Sequence, residues 1–279
     1  MRILSWNIQC GKACDGKVDL ERTIEYIFSH GEFDIICLQE IARNMNEHCA
    51  PGKTDQLAIL QQAFPEFTPV WGSGFSWPGT TDNKSERREF GNLSLLKSTP
   101  VDYKVHQLPK PAVAGTKQLQ RVAIESVVDS NSGYLSVINT HLAFHDANEN
   151  QLQLERLHAL EKERLAQHDA PKEVASGCYQ QDYLASARIL CGDFNFGTDS
   201  PQYRYQLDSG WIDAWLHCYR TKEHAPTCGV YDSRQWPEGP HCRDYFWLSS
   251  ELRSFRSRFT VDTATSLSDH QPIVLELDI

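Results

Sequence analysis

The chain of 279 residues is 40% hydrophobic and 23% charged, and its formal net charge is −10 at pH 7. This composition excludes an intrinsically disordered chain and allows one large hydrophobic core. The negative charge argues against general attraction to nucleic acid, which depends on clustered Lys and Arg, although a local basic patch or bound cations can reverse the field near a site. No apolar run is long enough to span a membrane.

The N-terminus carries no charged leader followed by an apolar stretch, so the sequence predicts no secretory signal. Nine cysteines in a leaderless chain favour reduced thiols and a cytoplasmic location. Cys10 and Cys14 could bind zinc together with His48 and Cys49, but no Cys-x-x-Cys pair supports such a site. We expect a single domain that covers residues 1–279.

Apolar periodicity near the N-terminus predicts a strand, a helix, a second strand and a second helix. The strands are Ile3 to Ile8 and Phe33 to Leu38, and the helix between them is capped by Asp19 and ended by Gly31. The second helix covers Asp55 to Phe64.

A long polar loop is predicted from Gly72 to Phe90, between strands Phe67 to Trp71 and Asn92 to Lys97. Loops of this length inside a domain are usually functional or disordered. Its aromatic and basic side chains could grip a substrate, or the loop could be a solvated insertion. These side chains are Phe75, Trp77, Lys84, Arg87 and Arg88.

The second half of the chain mixes strands and helices. Its predicted elements are a hairpin of Val122 to Val128 and Tyr134 to Thr140, a helix from Asn148 to Gln167, a connector at 168–180, a short helix opened by Ser200-Pro201, a second long loop from Tyr219 to Cys242, and closing strands Phe255 to Val261 and Ile273 to Ile279. Strands outnumber helices, which favours two sheets packed face to face with helices outside.

The stretch Ile189 to Phe196 combines a buried strand with two polar residues at its end. Asp193 and Asn195 are two positions apart, so strand alternation would point both side chains the same way. A carboxylate and a carboxamide held side by side can position a water and a phosphate oxygen together. A turn capped by an Asp and an Asn is the alternative interpretation.

Five other segments place an Asn, Glu, His or Asp at the tip of a predicted strand. They are Ser5-Trp6-Asn7, Leu38-Gln39-Glu40, Asn139-Thr140-His141, Arg243-Asp244-Tyr245 and Ser268-Asp269-His270. In this order, together with Asp193 and Asn195, they resemble the endonuclease/exonuclease/phosphatase superfamily of metal-dependent phosphoesterases. The resemblance spans residues 3 to 279. It implies an α/β fold, a four-layer α/β/β/α sandwich in which two mixed sheets pack face to face with helices outside.

The resemblance also implies a divalent cation, Mg²⁺ or Mn²⁺, as one or two ions. Oxygen ligands suit such a hard cation, which offsets the negative charge that develops when phosphoesters are cleaved. Glu40 is the first candidate ligand, Asn7 contributes an amide oxygen, and Asp269 holds the same ion or a second one.

The remaining motif residues receive catalytic roles from the same resemblance. His270 contacts the scissile phosphate or takes the proton from the attacking water, while Asp244 holds its other ring nitrogen, which fixes the tautomer. Asp193 aligns the water, and Asn195 and His141 donate to phosphate oxygens.

Two arginines are further candidates for binding a substrate anion. Arg88 lies in the predicted loop and Arg121 precedes the strand Val122 to Val128. An arginine at a strand edge can equally serve solubility alone.

The substrate class is less well defined than the chemistry. Abasic-site endonucleases of the superfamily carry a Tyr-rich and basic segment before the hairpin, whereas Leu108 to Gln120 offers only Lys110 and Lys117. With the acidic net charge, this favours a small or lipid-like phosphoester over DNA. A DNase or abasic-site nuclease is the first alternative, and it requires a basic surface from Lys84 to Arg88 and from Arg256 and Arg258. A binding module that has lost its chemistry is the alternative of another class.

Overall fold

The structure, a computed structural model, describes residues 1–79, 85–170, 177, 183–221 and 223–279. Over these ranges the chain forms twelve strands and five α-helices. In chain order they are β1 (Arg2–Asn7), α1 (Leu20–Ser29), β2 (Ile35–Arg43), α2 (Gln56–Ala63), β3 (Thr68–Pro78), β4 (Arg87–Leu96), β5 (Asp102–Gln107), β6 (Val122–Ser130), β7 (Gly133–His141), α3 (Ala147–Asp169), β8 (Ala187–Asp193), α4 (Pro201–Asp208), β9 (Ile212–Asp213), α5 (Ala214–Tyr219), β10 (Asp244–Leu248), β11 (Ser257–Val261) and β12 (Ile273–Leu277).

The strands form two six-stranded mixed sheets. The first has the order β11-β12-β1-β2-β4-β3 and the second the order β5-β6-β7-β8-β10-β9. In each sheet one central pair is parallel, β1 with β2 and β7 with β8, and the other pairs are antiparallel.

Three apolar clusters separate four layers. The largest lies between the two sheets and includes Ile3, Ile124 and Ile189. A second joins α1 and α2 to the outer face of the first sheet, and a third joins α3 and α4 to the outer face of the second sheet. The predicted α/β/β/α sandwich is therefore confirmed.

Strand alternation decides which polar side chains enter the space between the sheets. On β1, Ile3 faces the inner cluster while Leu4 and Trp6 face α1, and Asn7 continues the inner row. On β8, Ile189 and Cys191 face inward, and Asp193 continues that row. Both rows end at the same edge of the sandwich.

The predicted loop from Gly72 to Phe90 was wrong over most of its length, because β3 and β4 extend into it as a long hairpin. Trp77 pairs with Arg88 across the two strands, and the rings of Phe75 and Trp77 stack at 3.9 Å. Glycine allows this pairing, since a Cβ on Gly91 would lie 1.9 Å from the carbonyl oxygen of Gly72. The glycines of this segment suggested a loop, but in the structure they allow two strands to approach closely.

Three elements were not predicted: the edge strand β5, the two-residue β9 and the short helix α5. The interval from Tyr219 to Cys242 is otherwise irregular, as expected, although Cys228 bridges to His241 and to His270. Lys84 and most of the predicted connector at 168–180 lie outside the described residues.

The eight described cysteines are free thiols. Cys10 and Cys49 pack with Ala42 and Met45 in a small apolar cluster, which explains their burial without zinc. None of the helices in the described part of the chain combines the length and the apolar character of a membrane span.

Candidate active site

The polar residues at the strand ends meet at one edge of the cleft between the sheets. Strand register brings them level: His141 pairs with Asp193 across the parallel strands β7 and β8, and Asp193 pairs with Asp244 across β8 and β10. Asn7 ends β1 opposite Gln39 of β2. Apart from Glu40, Asn195 and Arg121, the predicted site residues of this cleft are at most 3% exposed.

Glu40 reaches the cleft through an irregularity in β2. The register with β4 shifts between Leu38 and Ile41, and Glu40 has φ +59°, a left-handed conformation that non-glycine residues rarely adopt. Backbone strain of this kind concentrates at functional sites. Glu40 Oε1 accepts a hydrogen bond of 3.2 Å from Asn7 Nδ2.

Asp193 is the centre of the contacts. Its Oδ2 accepts a bond of 3.1 Å from Asn7 Nδ2 and lies 3.3 Å from His141 Nε2 and 3.5 Å from His270 Nε2. The buried Nδ1 of His141 has no hydrogen-bond partner among the described residues, and it lies 4.0 Å from Glu40 Oε1. An unpaired buried nitrogen of this kind is available to a ligand.

His270 is held from its other side by Asp244. Nδ1 of His270 lies 2.9 Å from Asp244 Oδ2, and the same oxygen accepts a 2.6 Å bond from Thr227 Oγ1. The indole of Trp6 donates to the carbonyl oxygen of His270 at 3.0 Å. The predicted Asp244–His270 pair is therefore present in the structure.

Burial and crowded charges shift the pKa values in the cleft. Burial, and then the neighbouring Asp244, raises the pKa of Asp193 to about 6. Burial lowers the pKa of His270, but the carboxylates around it outweigh burial and raise that pKa well above its usual value. Burial, and then the charge of Asp269, raises the pKa of Glu40.

Asn195 lies beside Asp193 for a reason other than strand alternation. The strand β8 ends at Asp193, and Asn195 has φ +56°. The backbone N–H of Asn195 donates to Asp193 Oδ1 at 3.0 Å, and its side-chain Nδ2 donates to the carbonyl oxygen of Leu142 at 2.9 Å. The prediction that strand alternation points Asp193 and Asn195 the same way was wrong, although the two residues do contact each other.

The two candidate arginines are in different environments. Arg121 lies close enough to Glu40 and Asp193 for their charges to act on it, and its guanidinium makes no hydrogen bond or ion pair with the described residues. Burial lowers the pKa of Arg121. Arg88 instead pairs with Glu47 beside the hairpin. Of the two candidate arginines, only Arg121 is brought to the cleft, where its guanidinium is unpaired among the described residues.

Two residues that the sequence did not single out for the site hold Asp269. Its Oδ2 accepts a 2.7 Å bond from Gln235 Nε2 and a 3.1 Å bond from the indole Nε1 of Trp236. Both donors come from the irregular interval before β10. No spacing or motif connects them to Asp269, so only the tertiary structure could find them.

Metal-ligating atoms are present in two combinations. One group of His and Asp side chains in the described ranges has its ligand atoms within 4.8 Å of one another. It consists of Asp193, Asp244 and His270. Within this group, His270 Nδ1 already bonds to Asp244 Oδ2 at 2.9 Å, and His270 Nε2 lies 3.5 Å from Asp193 Oδ2. Glu40 has only the Asn7 amide as a bond donor in the described chain, and 25% of its side chain is exposed. The carboxylates of Glu40 and Asp269 therefore fit a hard cation at least as well as the group of Asp193, Asp244 and His270 does.

Comparisons with known proteins agree with this geometry. The model of the Endonuclease/Exonuclease/phosphatase family matches residues 4–270. No curated protein sequence matches the chain.

Solved structures share the fold at low sequence identity. An endonuclease/exonuclease/phosphatase from Beutenbergia cavernae DSM 12333 is 20% identical with a TM-score of 0.69, over 99% of this chain and 71% of that one. The mannosyl-6-phosphatase of Bacteroides thetaiotaomicron VPI-5482 is 18% identical with a TM-score of 0.66, over 100% of both chains. Truncated TDP2 of Caenorhabditis elegans is 15% identical with a TM-score of 0.59, over 99% of this chain and 96% of that one.

Proposed function

The chain belongs to the endonuclease/exonuclease/phosphatase family, and we propose that it hydrolyses a phosphoester by in-line attack of water with the help of Mg²⁺ or Mn²⁺. The observation that carries the proposal is the convergence of His141 and His270 on Oδ2 of Asp193, at 3.3 and 3.5 Å. One carboxylate between two imidazoles can orient a water and receive its proton while the rings face a bound phosphate.

Asp193 and His270 carry the central roles. Asp193 aligns the attacking water and accepts its proton. His270, fixed by Asp244 in one ring orientation, contacts the scissile phosphate through Nε2. A histidine whose other nitrogen bonds a carboxylate keeps that nitrogen protonated, so the orientation of the ring is retained through the reaction.

His141, Asn195 and Arg121 bind the phosphate oxygens. Within the part of the chain that the structure describes, the buried Nδ1 of His141 has no hydrogen-bond partner, and the guanidinium of Arg121 beside the cleft is unpaired. Asn195 Nδ2 has a second hydrogen beyond the one given to Leu142. Preorganised donors of this kind stabilise the charge that develops on phosphorus-bound oxygens.

Glu40 and Asp269 would hold the divalent cation, with Asn7 beside them. The amide nitrogen of Asn7 faces Glu40 and Asp193, and its oxygen accepts a 3.1 Å bond from the N–H of Gln9. Asn7 therefore serves at least to orient two carboxylates. A bound cation supplies positive charge against the developing charge of the phosphate.

A small or lipid-like phosphoester is the favoured substrate class. The net charge of −10 opposes a long polyanion. Arg258 lies on β11 and Arg88 on β4 beside β3, so they belong to opposite edges of the first sheet and do not form one basic surface. The likeness over its full length to a protein named as a mannosyl-6-phosphatase supports the same class.

Hydrolysis of three substrates in parallel tests the proposal. Bis-p-nitrophenyl phosphate, p-nitrophenyl phosphate and plasmid DNA are incubated with Mg²⁺, with Mn²⁺ and with EDTA. We expect cation-dependent cleavage of a small ester and intact plasmid. His270→Gln, purified in the same way, identifies any contaminating activity. Plasmid nicking lost in the variant would favour a nuclease, and no cleavage of any substrate would favour a binding module.

A further inference from the structure

The irregular interval between α5 and β10 reaches into the cleft and contacts Asp269. Gln235 Nε2 and Trp236 Nε1 both donate to the same carboxylate oxygen, Oδ2, at 2.7 and 3.1 Å. Among the described residues, the other oxygen, Oδ1, has only a 3.3 Å bond from Ser268 Oγ. The two donors thus fix the carboxylate plane and leave Oδ1 with the weaker partner.

The surroundings hold Trp236 in one orientation. Its side chain is 3% exposed, and its ring meets the ring of His270 edge to face at 5.6 Å. The guanidinium of Arg243 covers the indole at 5.0 Å. A Cβ on Gly229 would lie 3.0 Å from Cβ of Trp236, so the backbone of Gly229 packs closely against the base of the Trp236 side chain.

Gln235 is held by a second contact. Its Oε1 accepts a 3.0 Å bond from Gln9 Nε2, and Gln9 follows the candidate residue Asn7 by two positions. The amide of Gln235 is therefore anchored on one side and donates to Asp269 on the other. Unlike Trp236, Gln235 is exposed, so its side chain adds little to the core.

We propose that Gln235 and Trp236 are positioning residues that set the affinity of the site for its divalent cation. The inference rests on the proposed function, in which Asp269 is a ligand. The negative charge of Asp269 acts on Glu40, and neutral donors on Asp269 Oδ2 hold that carboxylate in place before a cation arrives. Residues that bond to metal ligands typically change metal affinity by about 10-fold to 100-fold when they are removed.

Cation binding, rather than turnover, distinguishes this role. Mn²⁺ binding to the metal-free protein is measured by electron paramagnetic resonance, and Mg²⁺ binding by isothermal titration calorimetry. Trp236→Phe removes the indole donor and keeps an aromatic ring, and Gln235→Leu removes the amide donor. We expect each substitution to raise the Kd for Mn²⁺ by about 10-fold, and the two substitutions together to raise it further.

Trp215→Phe is the matched control. Trp215 also donates one indole hydrogen bond, to the carbonyl oxygen of Glu223 at 2.9 Å, but it does not bond to Asp269. We expect its Kd for Mn²⁺ to equal that of the unsubstituted protein. If Gln235→Leu and Trp236→Phe also bind Mn²⁺ with unchanged affinity, the inference is wrong and the proposed function stands. If the unsubstituted protein binds neither cation, the cation site itself is wrong and the inference falls with it.

Discussion

Nδ1 of His270 lies 2.9 Å from Oδ2 of Asp244, although 26 positions separate the two residues in the chain. Asp244 begins β10 in the second sheet, while His270 precedes β12 in the first sheet. The pair therefore joins the two sheets at the edge of the cleft. Its geometry depends on how the sheets pack, and its chemistry depends on the charge of Asp244.

Asp244→Asn tests the charge of this pair. Asparagine keeps the size and can still bond to the ring, but it removes the carboxylate that fixes the His270 tautomer. We expect kcat to fall by about 100-fold or more with a small change in KM, because the lost interaction acts in the transition state. Steady-state kinetics on the best small ester measures both constants.

The control for Asp244→Asn is Asp213→Asn. Asp213 Oδ2 lies 2.7 Å from His224 Nε2, so it forms a second buried Asp–His pair, and within the described residues its carboxylate bonds to none of the predicted site residues. We expect this variant to lower stability and to retain kcat. Equal losses of kcat in both variants would indicate general damage to the fold and contradict the assigned role.

Glu40→Gln separates cation binding from folding. Without a cation, Glu40 and Asp269 repel each other, so removing one charge should raise the melting temperature of the metal-free protein. The unsubstituted protein should gain about 2.7 kcal/mol of stability at a cation concentration 100 times its Kd. We expect this gain to disappear in the variant. Thermal unfolding with and without Mg²⁺ measures both effects.

Glu47→Gln removes a carboxylate outside the cleft and serves as the control for Glu40→Gln. Glu47 pairs with Arg88 beside the hairpin, and 49% of its side chain is exposed. The Glu47→Gln protein should gain as much stability from Mg²⁺ as the unsubstituted protein does. A Glu40→Gln protein that keeps the full gain would show that Glu40 does not bind the cation.

Arg121→Ala tests the arginine that the structure brings to the cleft. Its guanidinium is unpaired among the described residues, so a phosphate oxygen is its expected partner. Hydrogen bonds to charged groups contribute about 1.5–3 kcal/mol, which corresponds to a loss of about 10-fold to 100-fold in kcat/KM. Arg88→Ala is the matched variant, and we expect a value near that of the unsubstituted protein. Similar losses of kcat/KM in both variants would contradict the conclusion that Arg121, and not Arg88, binds the substrate.

Strand periodicity was enough to predict where three of the candidate site residues lie. Asn7, His141 and Asp193 each end an inward-facing row of a buried strand, and this follows from a period of two residues. Glu40 does not follow from periodicity, because an irregularity in β2 turns it into the cleft. The motif around Glu40 predicted the residue, while its backbone conformation depends on pairing with β4.

Long-range contacts were beyond sequence reasoning. The bonds from Gln235 and Trp236 to Asp269 join positions more than 30 residues apart, and no local pattern encodes them. The same limit applied to Arg88 and Arg121, which look equivalent as isolated arginines. Their difference depends on Glu47, which happens to lie within reach of Arg88 only after folding.

Glu125 provides a stability test away from the site. Burial raises its pKa, but hydrogen bonds and charges from His106, Arg188 and Ser136 outweigh burial and lower it to about 2 from an ordinary value of 4.5. A depressed pKa stabilises the fold above pH 4.5, and this stability is lost as pH falls from 4.5 towards 2. The contribution at neutral pH is about 3 kcal/mol.

Urea unfolding of the unsubstituted protein and of Glu125→Gln at several pH values measures this contribution. At pH 7 the variant should be less stable by about 3 kcal/mol, because the buried Arg188 loses one of the carboxylates with which it pairs. The difference should shrink as pH falls below 4.5, where Glu125 itself becomes neutral in the unfolded chain. A difference that stays constant down to pH 3 would exclude the pairing as its cause.

Gly192→Ala tests the close approach of strands on which the cleft depends. Gly192 has φ +135°, and a Cβ there would lie 1.9 Å from the carbonyl oxygen of Thr140. The residues that follow these two are Asp193 and His141, which the paired strands bring together. Backbone strain and steric overlap each cost about 1–3 kcal/mol, so we expect a loss of about 3 kcal/mol or more in unfolding free energy.

Gly210→Ala is the control, since Gly210 has φ +90° with no atom within 4 Å of the added Cβ, and strain alone should cost about 1 kcal/mol. Equal losses in the two variants, measured by urea unfolding, would mean that β7 and β8 can separate to admit a methyl group.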